Sequence, residues 1–186
     1  MIQQLSFGDQ MRRPLAERMR PNSLDDFVGQ KEVIGINSFL RRAIETDTFS
    51  SLILWGPPGC GKTSLVYIIA NHTKSELYKL SAVTSGVKDI KEVLEKANSN
   101  RFRLVKTILF IDEIHRLNKA QQDVLLPDVE TGNIILIGAT TENPSFEINK
   151  ALLSRSYVVR LSPLTEDDLI TLLKRALIED YYLNVY

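Results

Sequence analysis

Residues 52–65 read LILWGPPGCGKTSL. An apolar run, Leu52 to Trp55, stops at Gly56. Two prolines, two more glycines, a lysine and a hydroxyl residue follow, and then a second apolar run begins. Gly56-Pro57-Pro58-Gly59-Cys60-Gly61-Lys62-Thr63 matches G-x-x-x-x-G-K-[ST]. Glycines let backbone N–H groups converge on one concavity without Cβ obstruction. A helix starting after Gly61 adds its positive dipole end. The stretch therefore predicts a phosphate-binding loop, with nucleotide contacts from Gly56, Pro57, Pro58, Gly59, Cys60, Gly61, Lys62, Thr63 and Ser64. Lys62 is expected to reach the β- and γ-phosphates, and the Thr63 hydroxyl to bind Mg²⁺. A chance Gly/Pro turn is the weaker alternative, because an apolar strand precedes the loop and a helical pattern follows it. Cys60 occupies a variable position of the motif and reads as filler, not as a nucleophile. Trp55 reads as core packing in preference to an adenine shelf.

The chain around this loop has 186 residues, 44% of them hydrophobic, enough for one compact domain. Basic and acidic residues number 23 each, so net charge gives no case for nucleic acid or an anionic membrane. Cys60 is the sole cysteine, which excludes an internal disulfide and fits a reducing compartment. No apolar run approaches the ~20 residues that span a bilayer. The first 21 residues lack a signal-peptide apolar region. The expectation is a soluble, intracellular protein.

Short apolar runs at 51–55, 76–81, 107–112, 133–140 and 157–161 read as buried strands of a parallel sheet covered on both faces. Helical spacing lies between them: over 61–72, from Val87 through Ile90, Val93 and Leu94 to Ala97, and over 119–129, where Pro127 is expected to kink or end the helix. Alternating strand and helix predict an α/β doubly wound domain. TEDDLITLLKRALIED (165–180) opens with a capping box, Thr165 and Asp168, and carries a stripe of Leu169, Leu172, Leu173, Ala176 and Leu177. Residues 162–164 before it look like a hinge. One amphipathic helix cannot form a domain alone, so the chain reads as a fragment.

The phosphate loop does not by itself separate kinases, GTPases and ATPases. TILFIDE (107–113) narrows the choice, being an apolar strand that ends in two carboxylates. Asp112 is expected to hold the Mg²⁺ shell, usually through water. Glu113 is expected to polarise a water toward the γ-phosphorus, as general base or water positioner. Two solvated acids starting a loop would be the bland alternative. A GTPase needs N-K-x-D, and Asn118-Lys119-Ala120-Gln121 lacks the aspartate. A small-molecule kinase seldom needs a glutamate base, so ATP hydrolysis is favoured.

NIILIGATTENPSF (133–146) ends in polar residues. Thr140, Thr141 and Asn143 are candidates to orient the attacking water, although Asn143-Pro144 also reads as a plain turn. Arg155 follows a short helical piece, with no obvious partner in the nearby sequence. It reads as an arginine finger toward a neighbouring subunit's ATP, or else as a surface salt bridge. Ser81 is a candidate gate for Glu113, or simply a strand cap. His72 and His115 have no ligand cluster, which excludes a zinc site; His115-Arg116 reads as exposed loop in preference to a place beside the nucleotide. The basic clusters (Arg12, Arg13, Arg18, Arg20; and Lys88 to Lys106) read as solvated faces more readily than as DNA contacts.

With these residues in place, the chain resembles an AAA+ ATPase of the clamp-loader branch. It is most similar to the replication-associated recombination protein A family, whose eukaryotic relative is Werner helicase-interacting protein. The stretches that carry the resemblance are 13–30, 52–65, 80–90, 107–127, 138–155 and 161–169. The resemblance implies a P-loop NTPase three-layer sandwich with a mostly parallel five-stranded sheet. It divides the chain into a segment packing on the nucleotide site (1–30), an ATPase core (31–161) and the first helix of a lid (162–186). It places Arg20, Pro21, Val28 and Gly29 against adenine and Thr141 at sensor 1, with Thr140 as the other choice. It puts Ser81 where relatives switch the catalytic glutamate, and Arg155 at the arginine finger. It further implies ATP and Mg²⁺ as ligands, a homo-oligomer in the full-length protein, single-stranded or fork DNA and single-stranded-DNA-binding protein as partners, no membrane, and a cytoplasmic, nucleoid-associated location. Sensor 2 and the tetramer-forming region of such proteins lie beyond this sequence, which leaves open how far the fragment turns over ATP. The rival readings are a nucleotide-gated scaffold with little hydrolysis and a phosphate-loop kinase.

Overall fold

The computed structural model describes residues 14–180 and residue 183. In chain order the elements are α1 (Leu15–Arg18), α2 (Lys31–Ile34), α3 (Phe39–Glu45), β1 (Ser51–Trp55), α4 (Lys62–His72) and β2 (Glu76–Ser81). Then come α5 (Val87–Phe102), β3 (Thr107–Asp112), a 3₁₀ turn (Ile114–Arg116), α6 (Lys119–Glu130) and β4 (Ile135–Thr140). The chain continues through α7 (Pro144–Glu147), α8 (Lys150–Leu153), β5 (Ser156–Arg160) and α9 (Glu166–Glu179).

The strands form one sheet in the order β2-β3-β4-β1-β5, every pairing parallel. Parallel neighbours need crossovers, and the helices supply them on both faces. Burial explains the near-continuous apolar runs. Leu52, Leu54, Ile108, Phe110 and Ile137 face the layer containing α3 and α4. Ile53, Leu109, Ile111 and Leu136 face α5 and α6. Adjacent residues of one strand thus enter opposite cores, so neither parity is left polar.

Three boundaries differ from the sequence reading. The fourth strand begins at Ile135, not at 133, because Gly132 turns with φ +65° and the Asn133 amide donates to the Asp128 carboxylate at 2.6 Å. The fifth runs 156–160, one residue earlier than expected, although Leu161 N–H still donates to the Trp55 carbonyl at 2.7 Å. The third correction concerns Pro127, which does not end its helix: α6 continues to Glu130. The bond that proline forgoes lies in the last turn, and fully buried Leu125 and Gln122 hold the helix in place beside it.

The C-terminal strand ends carry the polar residues. Trp55 of β1 stands beside Thr140 of β4, and Ser81 of β2 beside Asp112 of β3. In a doubly wound sheet this edge is where ligands bind. Helix α9 lies over the same edge, fastened to the segment before α2. Arg175 donates to the Asp26 carbonyl at 2.9 Å, and Arg18 pairs with nearly buried Asp180 at 2.7 Å.

Candidate functional site

The loop between β1 and α4 is shaped by its glycines. Gly61 has φ +99°, and a Cβ there would stand 2.5 Å from the Phe27 ring. Gly59, at φ +76°, faces open space. Both conformations belong to the left-handed region that glycine adopts without penalty. Gly61 is also the N-cap of α4, and it offers no side-chain cap. The first-turn amides of α4 therefore lack a side-chain acceptor, the arrangement that receives an anion. The Lys62 ammonium donates to the carbonyls of Gly56 at 2.6 Å and Pro57 at 2.8 Å. It is thus held within the loop. Cys60 is buried in the core, whereas Trp55, expected in the core, is half-buried at the strand end with the Arg160 guanidinium 5.1 Å from its ring. Thr63 and Ser64 occupy the first turn of α4, half-buried.

Beside the loop is a cavity of about 450 Å³, walled by the 15–28 segment, Gly59 to Ser64 and α9. Arg20, Pro21 and Val28 line it; Gly29 is set back, facing Leu164 and Asp168. The Arg20 guanidinium lies 4.2 Å above the Tyr67 ring, and its Nε is buried with no hydrogen-bond partner. A mostly apolar wall with one unmet donor suits a flat heteroaromatic base. Of the N-terminal basic cluster, Arg18 and Arg20 both turn inward onto protein partners, and Arg12 and Arg13 lie outside the described residues.

At the end of β3 the chain turns sharply. Glu113 is left-handed at φ 53°, and this reverses the backbone into the 3₁₀ turn. Its carboxylate lies 3.3 Å from His115 Nδ1. His115 Nδ1 in turn meets the Thr140 hydroxyl at 3.0 Å. The expectation of His115 as exposed loop is therefore corrected: its side chain is 11% accessible and bridges two site residues. No periodicity announces this. The left-handed turn at Glu113 folds position 115 back, and a sequence does not display φ. The Ser81 hydroxyl makes no hydrogen bond to Glu113; among the described residues the group beside that carboxylate is His115.

The polar end of β4 divides its labour. Thr140 is buried and its hydroxyl is taken up by His115 and by the backbone of Glu142. Thr141 is half-buried, and its side chain has no such bonds. Asn143 caps α7, accepting from Ser145 N–H at 3.0 Å, so its turn reading holds. Arg155 pairs with Glu130 at 2.6 Å, the surface salt bridge that is the alternative to a finger, with both side chains substantially exposed at 40% and 47%. Folding brings the end of α6 next to position 155, which sequence distance conceals.

Gln30 is a second residue that the sequence reading passed over. Its amide accepts from Ser162 N–H at 2.9 Å, donates to the Ser162 carbonyl at 2.6 Å and reaches the Cys60 carbonyl at 3.3 Å. One side chain thus joins the hinge before α9 to the phosphate loop. Among the described residues there is no cluster of three or more His, Cys, Asp or Glu that forms a metal site, and no helix long and apolar enough to cross a membrane.

Residues 52–164 match the family model of the ATPase family associated with various cellular activities (AAA). The replication-associated recombination protein A of Escherichia coli K12 is 50% identical over 173 residues, which are 93% of this chain and 39% of that protein. The ATPase WRNIP1 of Dictyostelium discoideum is 56% identical over 88% of this chain and 19% of its own length. The chain therefore spans well under half of these relatives. Among solved structures, the Thermotoga maritima RuvB Holliday junction branch migration motor superposes with a TM-score of 0.67 at 34% identity, covering 86% of this chain and 54% of that one. The five-stranded parallel sheet and the glycine loop after its first strand fall inside the matched range, which covers more than half of the sequence. The chain belongs to the ATPase family associated with various cellular activities.

Proposed function

We propose that this chain is the ATP-binding and hydrolysing portion of an oligomeric motor acting on DNA during replication and recombination. The observation that carries the reading is the meeting of the β1, β3 and β4 ends, which groups Lys62, Glu113 and Thr141 on one sheet edge beside a base-sized cavity. The names of its relatives support the DNA role, and the basic residues of the described segments do not argue for it independently.

In this reading the α4 amides and Lys62 hold the triphosphate, and Arg20, Pro21 and Val28 hold the base. Thr63 and Asp112 supply one hydroxyl and one carboxylate, a donor set that suits Mg²⁺, which keeps its waters and takes phosphate oxygens. When bound, that ion neutralises charge on the β- and γ-phosphates. Glu113 accepts a proton from water as the water oxygen bonds to the γ-phosphorus. The bond between that phosphorus and the β–γ bridging oxygen breaks, leaving ADP and inorganic phosphate. Thr141, whose hydroxyl is uncommitted, orients the water. Arg155 leaves Glu130 to stabilise transition-state charge in a neighbouring subunit's site. A homo-oligomer is required for that step. Single-stranded or fork DNA and single-stranded-DNA-binding protein are the partners proposed for the whole protein.

The test uses the full-length protein. Lys62→Ala should lose ATP binding, whereas Glu113→Gln should bind ATP and fail to turn it over. Normal turnover by Glu113→Gln would remove the base assignment. Partner binding by Glu113→Gln equal to wild type, with negligible wild-type hydrolysis, would favour the nucleotide-gated scaffold instead.

A further inference from the structure

His115 sits where the reaction needs a second group, and it deepens the reading above because it acts through Glu113. Four distances define it. Its Nδ1 is 3.0 Å from the Thr140 hydroxyl and 3.3 Å from the Glu113 carboxylate, while the Thr140 hydroxyl contacts the Glu142 carbonyl at 3.2 Å and the Glu142 N–H at 3.0 Å.

Counting donors assigns the protons. A threonine hydroxyl has one hydrogen and two lone pairs. Here the hydrogen goes to the Glu142 carbonyl, and one lone pair receives the Glu142 N–H. The remaining lone pair is free to accept, so Nδ1 must bring the hydrogen. The Glu113 carboxylate lies 3.3 Å from the same nitrogen, as a close contact beside that hydrogen bond. A neutral His115 therefore carries its proton on Nδ1, set by the groups around it. Thr140 is itself immobile: it is 1% exposed, and its carbonyl accepts the Gly56 N–H at 3.1 Å.

We propose that His115 is the positioning residue for Glu113: Thr140, bonded to the first residue of the phosphate loop, holds the Nδ1–H, and the imidazole so fixed stands 3.3 Å from the carboxylate. The base and the loop that holds its substrate then share one reference point across β1, β3 and β4. This is the task that the sequence reading gave to Ser81. A glutamate with a left-handed backbone and a 38% accessible side chain has freedom to miss its target. A fixed imidazole packed against it narrows that freedom before the substrate binds.

Two measurements on the full-length protein test this. In selectively ¹⁵N-histidine-labelled protein, NMR should find His115 as the Nδ1–H tautomer; the Nε2–H tautomer would overturn the proposal. Kinetically, His115→Leu should lower kcat about tenfold, with KM for ATP little changed. Asparagine places an amide N–H near the position of Nδ1, so His115→Asn should recover most of the rate, whereas a role in packing alone would leave Asn no better than Leu. Equal loss in both variants, or no loss in Leu, would overturn the proposal while leaving Glu113 as base. Normal turnover by Glu113→Gln would remove the base assignment and this proposal together.

Discussion

Gly61 shows how much one residue can decide. Its φ of +99° costs an L-residue about 1–3 kcal/mol, and the Phe27 ring closes off the space a Cβ would need. Gly61→Ala should therefore lower stability by about 2 kcal/mol in urea unfolding, through strain and crowding together. In a Phe27→Ala background the same substitution should cost less, because one of its two penalties is gone; a double-mutant cycle measures the difference. Equal costs in the two backgrounds would place the whole effect in the backbone. At this scale the loop was legible from its text, since G-x-x-x-x-G-K-[ST] states the backbone requirement directly. The position of His115 was not legible, because it depends on a left-handed turn at Glu113 that any glutamate would spell identically.

Among the elements, α9 depends most on its ends. It shows much of its apolar stripe to solvent, with Leu169, Leu173 and Leu177 between 49% and 63% exposed. Packing therefore holds it less than its cap does. Thr165 and Asp168 exchange hydrogen bonds at 3.0 and 3.2 Å. Hydrogen bonding to the carboxylate from Thr165, its backbone N–H first and its hydroxyl second, lowers the Asp168 pKa below its ordinary 3.8. The sign follows. The folded carboxylate is the stronger acid, so its contribution is complete above pH 3.8 and is lost as pH falls from there through the lowered folded value. Hydrogen exchange of the first-turn amides of α9 should thus accelerate in acid relative to the sheet. Thr165→Ala should cost the helix about 1 kcal/mol at neutral pH, and Asp168→Ala, which removes the titrating carboxylate, should abolish that acid dependence. An unchanged profile in Asp168→Ala would assign the acid response elsewhere. The capping box was readable from T-x-x-D spacing, as were the β2 and β3 boundaries. Pro127 was misjudged because its helix is held by tertiary packing at Gln122 and Leu125, which outweighs one missing bond.

For the whole molecule, the question is what Arg155 does when subunits meet. Its ion pair with Glu130 lies at the surface, where such pairs contribute about 0–1 kcal/mol. That is small enough for the guanidinium to be drawn toward a neighbour's phosphates. In the full-length protein, Arg155→Ala should keep ATP binding and lose about 10³-fold in turnover, the low end for an arginine finger. Mixed with Glu113→Gln subunits, it should regain part of the rate, because the Glu113→Gln subunit still donates an intact Arg155 to its partner's site. No regain on mixing would mean that Arg155 acts within its own subunit, or only through Glu130.

Sequence alone determined the loop, the alternation of strand and helix, and the acidic pair, because each is written in contiguous residues whose chemistry is local. Five apolar runs between helical patterns were enough for a doubly wound sheet. What only tertiary structure decided was which distant groups meet. The order β2-β3-β4-β1-β5 sets Thr140 beside Trp55, which gives His115 its anchor; Gln30 reaches Ser162 across 132 positions; and Glu130 arrives at Arg155. Such meetings follow from the packing of two cores against one twisted sheet, and neither spacing nor composition records that packing.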